Sequence, residues 1–154
     1  MEIADLLTPR SILAQLRVIN KKGALQEIAR RGASMTGVAE RRIYEALAER
    51  ERVGTTGIGE GIAVPHGKIA ELSGLFGVFA RLDRPIAFGA VDDQPVDLVF
   101  ALLTPEAAGA EHLRALALVS RLLRDQAICQ KLRGTDNADA LFAILTDRSE
   151  SHAV

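Results

Sequence analysis

The chain has 154 residues, 48% of them hydrophobic, and a formal net charge of −1 at pH 7. This length suits one domain with a sizeable core, and the composition excludes an intrinsically disordered chain. The near-neutral charge leaves no basic footprint for nucleic acid or an anionic membrane, and no apolar run approaches the ~18 residues of a bilayer span. The single cysteine, Cys129, cannot close an internal disulfide. The start, Met1-Glu2-Ile3-Ala4-Asp5, lacks the basic and apolar regions of a signal peptide, so a cytoplasmic protein without membrane insertion is expected.

Ile12, Ala14, Leu16 and Val18 alternate with Gln15 and Arg17, which predicts a strand. Ala24, Leu25, Ile28 and Ala29 recur at helical spacing, with Gly32 placed to stop that helix. Ala39, Ile43, Ala46 and Leu47 predict a second helix, ending near Arg50. A glycine-rich loop over 54–61 follows, and Pro65 then holds Ile62 to Val64 extended. Leu75 to Leu82 predicts a strand, Arg84-Pro85 a turn, and Ile86 to Phe88 a short strand. After a turn at Asp92-Asp93-Gln94-Pro95, Val96 to Leu103 predicts a core strand. Glu111 to Arg124 is apolar on most sides and predicts a helix buried between layers. Two shorter helices follow, carried by Ile128, Cys129 and Leu132 and by Ala138, Leu141, Phe142 and Leu145. The tail after Asp147, from about residue 148, is polar and is expected to fray. Interleaved strands and helices give an α/β class, one domain over 1–154, with a mostly buried sheet covered by helices.

Chemistry concentrates around His66. It follows a short apolar run and Pro65, with Gly61 and Gly67 on either side, which would clear space for an incoming donor. A neutral imidazole is a nucleophile near pH 7 if its other nitrogen donates a hydrogen bond that fixes the tautomer. The plain alternative is a half-buried histidine packed at a strand end. His112 opens the helix at Glu111 and shares a face with Ala115, Leu116 and Val119, so its ring can point inward. A helix N-terminus disfavours a cation, so a neutral His112 could donate to a phosphate oxygen; it could equally be a satisfied core histidine. Arg50 and Arg52 could bind phosphate, or form a solvated charge run at a helix C-terminus. Other chemistries lack their signatures. Gly57, Gly59 and Gly61 miss the dinucleotide spacing, and there is no Walker sequence. The histidines and cysteine lack metal-ligand spacing, Ser73 and Ser120 lack a nucleophile elbow, and Cys129 suits a small core residue.

The run Thr55-Thr56-Gly57-Ile58-Gly59-Glu60-Gly61-Ile62-Ala63-Val64-Pro65-His66-Gly67-Lys68 resembles the phosphorylation signature of the mannitol/fructose-type IIA components of the bacterial phosphotransferase system. Arg50-Glu51-Arg52 is similar to the arginine segment before that signature. The run over 94–103 is similar to the family's central strand, and Glu111-His112-Leu113-Arg114-Ala115-Leu116 to its second histidine motif. The wording around Thr56 to Lys68 and Gln94 to Leu98 is most similar to the nitrogen-regulatory branch. The resemblance implies a mixed sheet covered by helices. It implies His66 as phospho-acceptor from a histidine phosphocarrier protein, with His112 and Arg50 stabilising the phosphate. Arg52, Thr56 and Gly67 become possible support. It implies no metal, nucleotide or other cofactor. Partners would be regulatory target proteins; those of the related branch include potassium-transport and sensor-kinase proteins. One departure is Glu60, where the family commonly carries asparagine; it is expected to face solvent or pair with Arg50, Arg52 or Lys68. Two alternatives are a sugar-specific IIA component passing phosphate to a IIB domain, and a protein-binding module that does not use phosphate.

Overall fold

The computed structural model describes residues 1–147, so the expected polar tail lies outside the described residues. In chain order the elements are β1 (Ile12–Leu16), α1 (Lys21–Thr36), α2 (Glu40–Val53), β2 (Gly57–Gly59), β3 (Ile62–Ala63), β4 (His66–Lys68), β5 (Phe76–Ile86), β6 (Val96–Thr104), α3 (Ala110–Arg124), α4 (Gln126–Arg133) and α5 (Ala138–Leu145). The strands form one mixed sheet in the order β1-β5-β6-β3-β2, with β4 also paired to β6. β5 runs antiparallel to β6, whereas β3 and β4 run parallel to it.

β6 explains the layering. Leu98, Phe100 and Leu102 pack into one core with α3, α4 and α5, while Val99, Ala101 and Leu103 pack into a second core with α1 and α2. A strand buried on both faces must read as a continuous apolar run, as this one does. α1 starts at Asn20, whose side chain accepts from the Gly23 amide, and ends at Gly37 in the left-handed region. Gly32, expected to stop this helix, lies inside it and is buried. A Cβ there would sit 3.1 Å from Leu103 Cδ1 and 3.3 Å from Ile43 Cδ1, so the glycine sets how closely α1 approaches the sheet and α2.

Three further expectations are corrected. β5 does not turn at Arg84-Pro85 but continues to Ile86, with a shifted register between Arg81 and Ile86. Residues 83–85 are exposed in that irregular stretch, where a missing proline N–H is tolerated. Ile86 therefore closes β5, and no separate strand forms over 86–88. The loop over 54–61 contains β2, which pairs antiparallel with β3. Finally, α3 is not buried all round: His112, Ala115, Val119, Leu122 and Leu123 face the core, but Leu113 is 68% exposed.

The β2–β3 turn places Glu60 and Gly61 at φ 59° and 81°. The Glu60 amide donates to Asp92 Oδ2 (3.0 Å), and the Glu60 carbonyl accepts from Arg133 Nη2 (2.8 Å). Arg133 also grips the Asp97 carboxylate through Nε, at 2.9 Å to Oδ2. The turn is thus bolted to the start of β6 and the end of α4. A glutamate in the left-handed region is strained by its Cβ, whereas asparagine tolerates that conformation. Replacing Glu60 by Asn should raise the unfolding free energy by about 1 kcal/mol in urea titrations, with no change in slope.

Candidate functional site

His66 opens β4, in register with Leu102, while Gly67 stands opposite Leu103. This strand is not legible from hydrophobic alternation; β6 imposes it through pairing. Gly67 has a specific reason to be glycine, because a Cβ would lie 3.0 Å from Ala46 Cβ on α2. A Cβ on Gly61 would meet Arg133 Nη2 at 2.6 Å. Neither glycine clears room for an incoming donor, as the sequence reading expected; both allow close packing of the scaffold.

Both ring nitrogens of His66 are engaged. Nδ1 lies 3.0 Å from the Val64 carbonyl oxygen, which can only accept, so Nδ1 carries the proton. Nε2 therefore carries the lone pair, and Arg50 Nε donates to it at 3.1 Å. Arg50 stands in the last turn of α2 and also donates from Nη1 to the Gly54 carbonyl (2.7 Å), closing the helix end where a cation is favoured. His112, in the first turn of α3, is 9% exposed, and its ring lies 5.4 Å from that of His66, centroid to centroid, tilted by 55°. Its Nδ1 is buried without a hydrogen-bond partner. An unpaired lone pair costs less there than an unpaired N–H, which places the proton on Nε2. His66, Arg50 and His112 thus form one cluster drawn from β4, α2 and α3.

The other expected supports behave differently. Arg52 is exposed, and its side chain makes no hydrogen bond or ion pair among the described residues. Thr56 is buried, and its hydroxyl bonds to the Glu51 carboxylate rather than facing the site. Glu60 is exposed at the far end of β3: the Gly61 carbonyl bonds to the amides of Asp97 and Leu98, four residues before Leu102, or about 13 Å along the sheet at ~3.3 Å per residue. Of the two expected arrangements it takes the solvent-facing one rather than a pairing with Arg50, Arg52 or Lys68, and its charge is remote from the imidazole.

Sequence reasoning missed Glu51 and Lys21. The Glu51 side chain is only 6% exposed and pairs with Lys21 Nζ at 2.7 Å. The signal was present: Ile43, Leu47 and Glu51 repeat every four residues, which puts the carboxylate on the buried stripe of α2.

Burial holds the His66 pKa below 6.5; the Arg50 charge pushes the same way, against the Val64 hydrogen bond and Glu51. Burial also lowers that of His112, aided by His66 and Lys68. Both rings are therefore neutral at pH 7. Because the folded values lie below the unfolded one, their full contribution to stability is present above about pH 6.5 and is lost as pH falls from there through the folded values. Urea unfolding of the wild type and a His66→Gln/His112→Gln variant should show this: wild-type stability falls more steeply below pH 6.5.

A model of the phosphoenolpyruvate-dependent sugar phosphotransferase system EIIA 2 family matches residues 5–148. The chain belongs to this EIIA 2 family. A nitrogen regulatory protein of Bradyrhizobium diazoefficiens is 55% identical over 145 residues, covering 94% of this chain and 95% of that protein. The crystal structure of nitrogen regulatory protein IIA-Ntr from Neisseria meningitidis superposes with a TM-score of 0.88 at 33% identity, covering 94% of this chain and 99% of the other. Mannitol IIA of Escherichia coli shares the fold at a TM-score of 0.76 and 22% identity, over 90% and 98% of the two chains. The expected EIIA 2 architecture, a mixed sheet with helices on both faces, is borne out. Among the described residues no helix is long and apolar enough to cross a membrane.

Proposed function

We propose that this EIIA 2 protein is a regulatory phosphocarrier that accepts a phosphoryl group on Nε2 of His66 from a histidine phosphocarrier protein. The observation that carries this reading is the fixed tautomer: the Val64 carbonyl holds the proton on Nδ1 and leaves the Nε2 lone pair toward the Arg50–His112 cluster. That lone pair forms the new bond to phosphorus as the bond to the carrier's imidazole breaks, and the bonding pair leaves with the carrier's ring. Positive charge building on the His66 ring is stabilised at Nδ1 by Val64. Arg50 swings its Nε–H from the ring to a phosphoryl oxygen, and His112 donates to another, where negative charge concentrates.

The regulatory branch is favoured over sugar uptake because a relative named nitrogen regulatory protein is 55% identical, whereas a fructose-specific EIIA component that aligns as completely is 32% identical. Output would then be a charge switch. A phosphoryl group on half-buried His66 adds negative charge beside Arg50 and alters partner binding there. Its targets would be regulatory proteins in the cytoplasm.

Incubation with phosphoenolpyruvate, the first enzyme of the chain and the phosphocarrier should add one phosphoryl group by intact mass, and none to His66→Ala. Absence of the adduct on folded wild-type protein, with an active upstream pair, would favour the phosphate-independent binding module. The rate of acceptance should stay flat as pH falls through about 6.5, where an unperturbed imidazole is half protonated, and decline only below that. Arg50→Ala should cut the rate by about two orders of magnitude, the scale for loss of a donor to developing charge.

A further inference from the structure

We propose that Glu51, held between Lys21 and Thr56, is a positioning carboxylate that locks the acceptor imidazole of His66 in its reactive tautomer. The inference rests on the phosphoacceptor reading above and adds residues that never touch the phosphoryl group.

Glu51, Thr56, Val64, His66 and Arg50 form one closed ring of bonds. Glu51 accepts from the Thr56 amide (3.2 Å) and from the Thr56 hydroxyl. The Thr56 carbonyl accepts from the Val64 amide (3.0 Å), and the Val64 carbonyl accepts from His66 Nδ1 (3.0 Å). On the other side of the imidazole, Nε2 accepts from Arg50, the residue before Glu51. Both nitrogens of the ring are therefore referred to the same turn of α2, one through Arg50 directly and one through Glu51, Thr56 and Val64. Rotation of the imidazole, or exchange of its proton to Nε2, breaks a bond in this circuit.

Lys21 completes it. Its ammonium touches Glu51 at 2.7 Å, donates to the Phe88 carbonyl at 3.2 Å and lies 4.5 Å from the centre of the Phe88 ring. A lysine in the first turn of α1 opposes the helix dipole, so its position has an electrostatic cost. Neutralising a carboxylate that is almost fully removed from water accounts for it. The pair also separates the two charges of Arg50-Glu51: the guanidinium is at the site, while the carboxylate is sequestered behind Thr56.

The test uses the full chain, labelled with 15N at histidine. Long-range nitrogen–proton spectra of the unphosphorylated protein report which ring nitrogen of His66 is protonated. Steady-state transfer from the phosphorylated phosphocarrier gives kcat and KM. Glu51→Ala should mix the two tautomers at pH 7.5 and lower kcat about ten- to a hundredfold, the scale of small misplacements, with KM within about twofold. Thr56→Val leaves the Lys21–Glu51 pair in place and should do the same if Glu51→Ala does not fold; Thr56→Ser should restore both readouts. An unchanged tautomer in a folded variant overturns the proposal, as does a mixed tautomer with unchanged kcat. A fall in kcat without a tautomer change also overturns it, since that loss would have another origin. Should wild type accept no phosphoryl group, the phosphoacceptor reading fails, and the tautomer spectra alone decide whether the clamp exists.

Discussion

The parallel pairing of residues 66–68 with 102–104 fixes where the candidate site forms. β6 is anchored on both faces by its own apolar side chains, so its register cannot slip without exposing one core to the other's environment. β4 has little apolar surface of its own and takes position from that rigid template. His66 inherits a fixed backbone, and the Val64 carbonyl just upstream then fixes the ring. Arg50 and His112 arrive on helices packed against opposite faces of the same sheet. The site is thus a junction of three elements whose mutual geometry is decided by packing, including the close approach of α2 at Ala46 to Gly67.

Much of this was legible because it rests on local periodicity. The β6 run, the stripe of α2 and the inward face of α3 at His112 all follow from residue spacing. β4 was not legible, since His66-Gly67-Lys68 carries no alternation and becomes a strand only through its partner, a tertiary effect that outweighs propensity. Gly32 and Gly67 were misread for a related reason: a glycine that admits a neighbouring element looks, in sequence, like one that ends a helix or opens a pocket. Glu51 was hidden by its flanking arginines, which made the triplet read as solvated charge. Its position on the Ile43–Leu47 stripe was the better guide.

α3 shows how composition can overstate burial. Alanine and leucine are strong helix formers as well as core residues, so an Ala/Leu-rich helix looks buried on all sides even where alanines and Leu113 meet solvent. The distinction matters here because the outward side of that helix begins one residue after His112. The same short segment supplies an inward ring and an exposed apolar side chain.

The strand arrangement also orders the events of biosynthesis. The template for His66 lies 36 residues downstream at Leu102, and His112 lies beyond that again. Parallel contacts this distant in sequence form only after the intervening chain has been closed into a loop. A growing polypeptide therefore cannot assemble the His66–Arg50–His112 cluster until β6 and the start of α3 have emerged from the ribosome. A fragment truncated before β6 keeps His66 in its sequence but lacks the strand that gives it a fixed place.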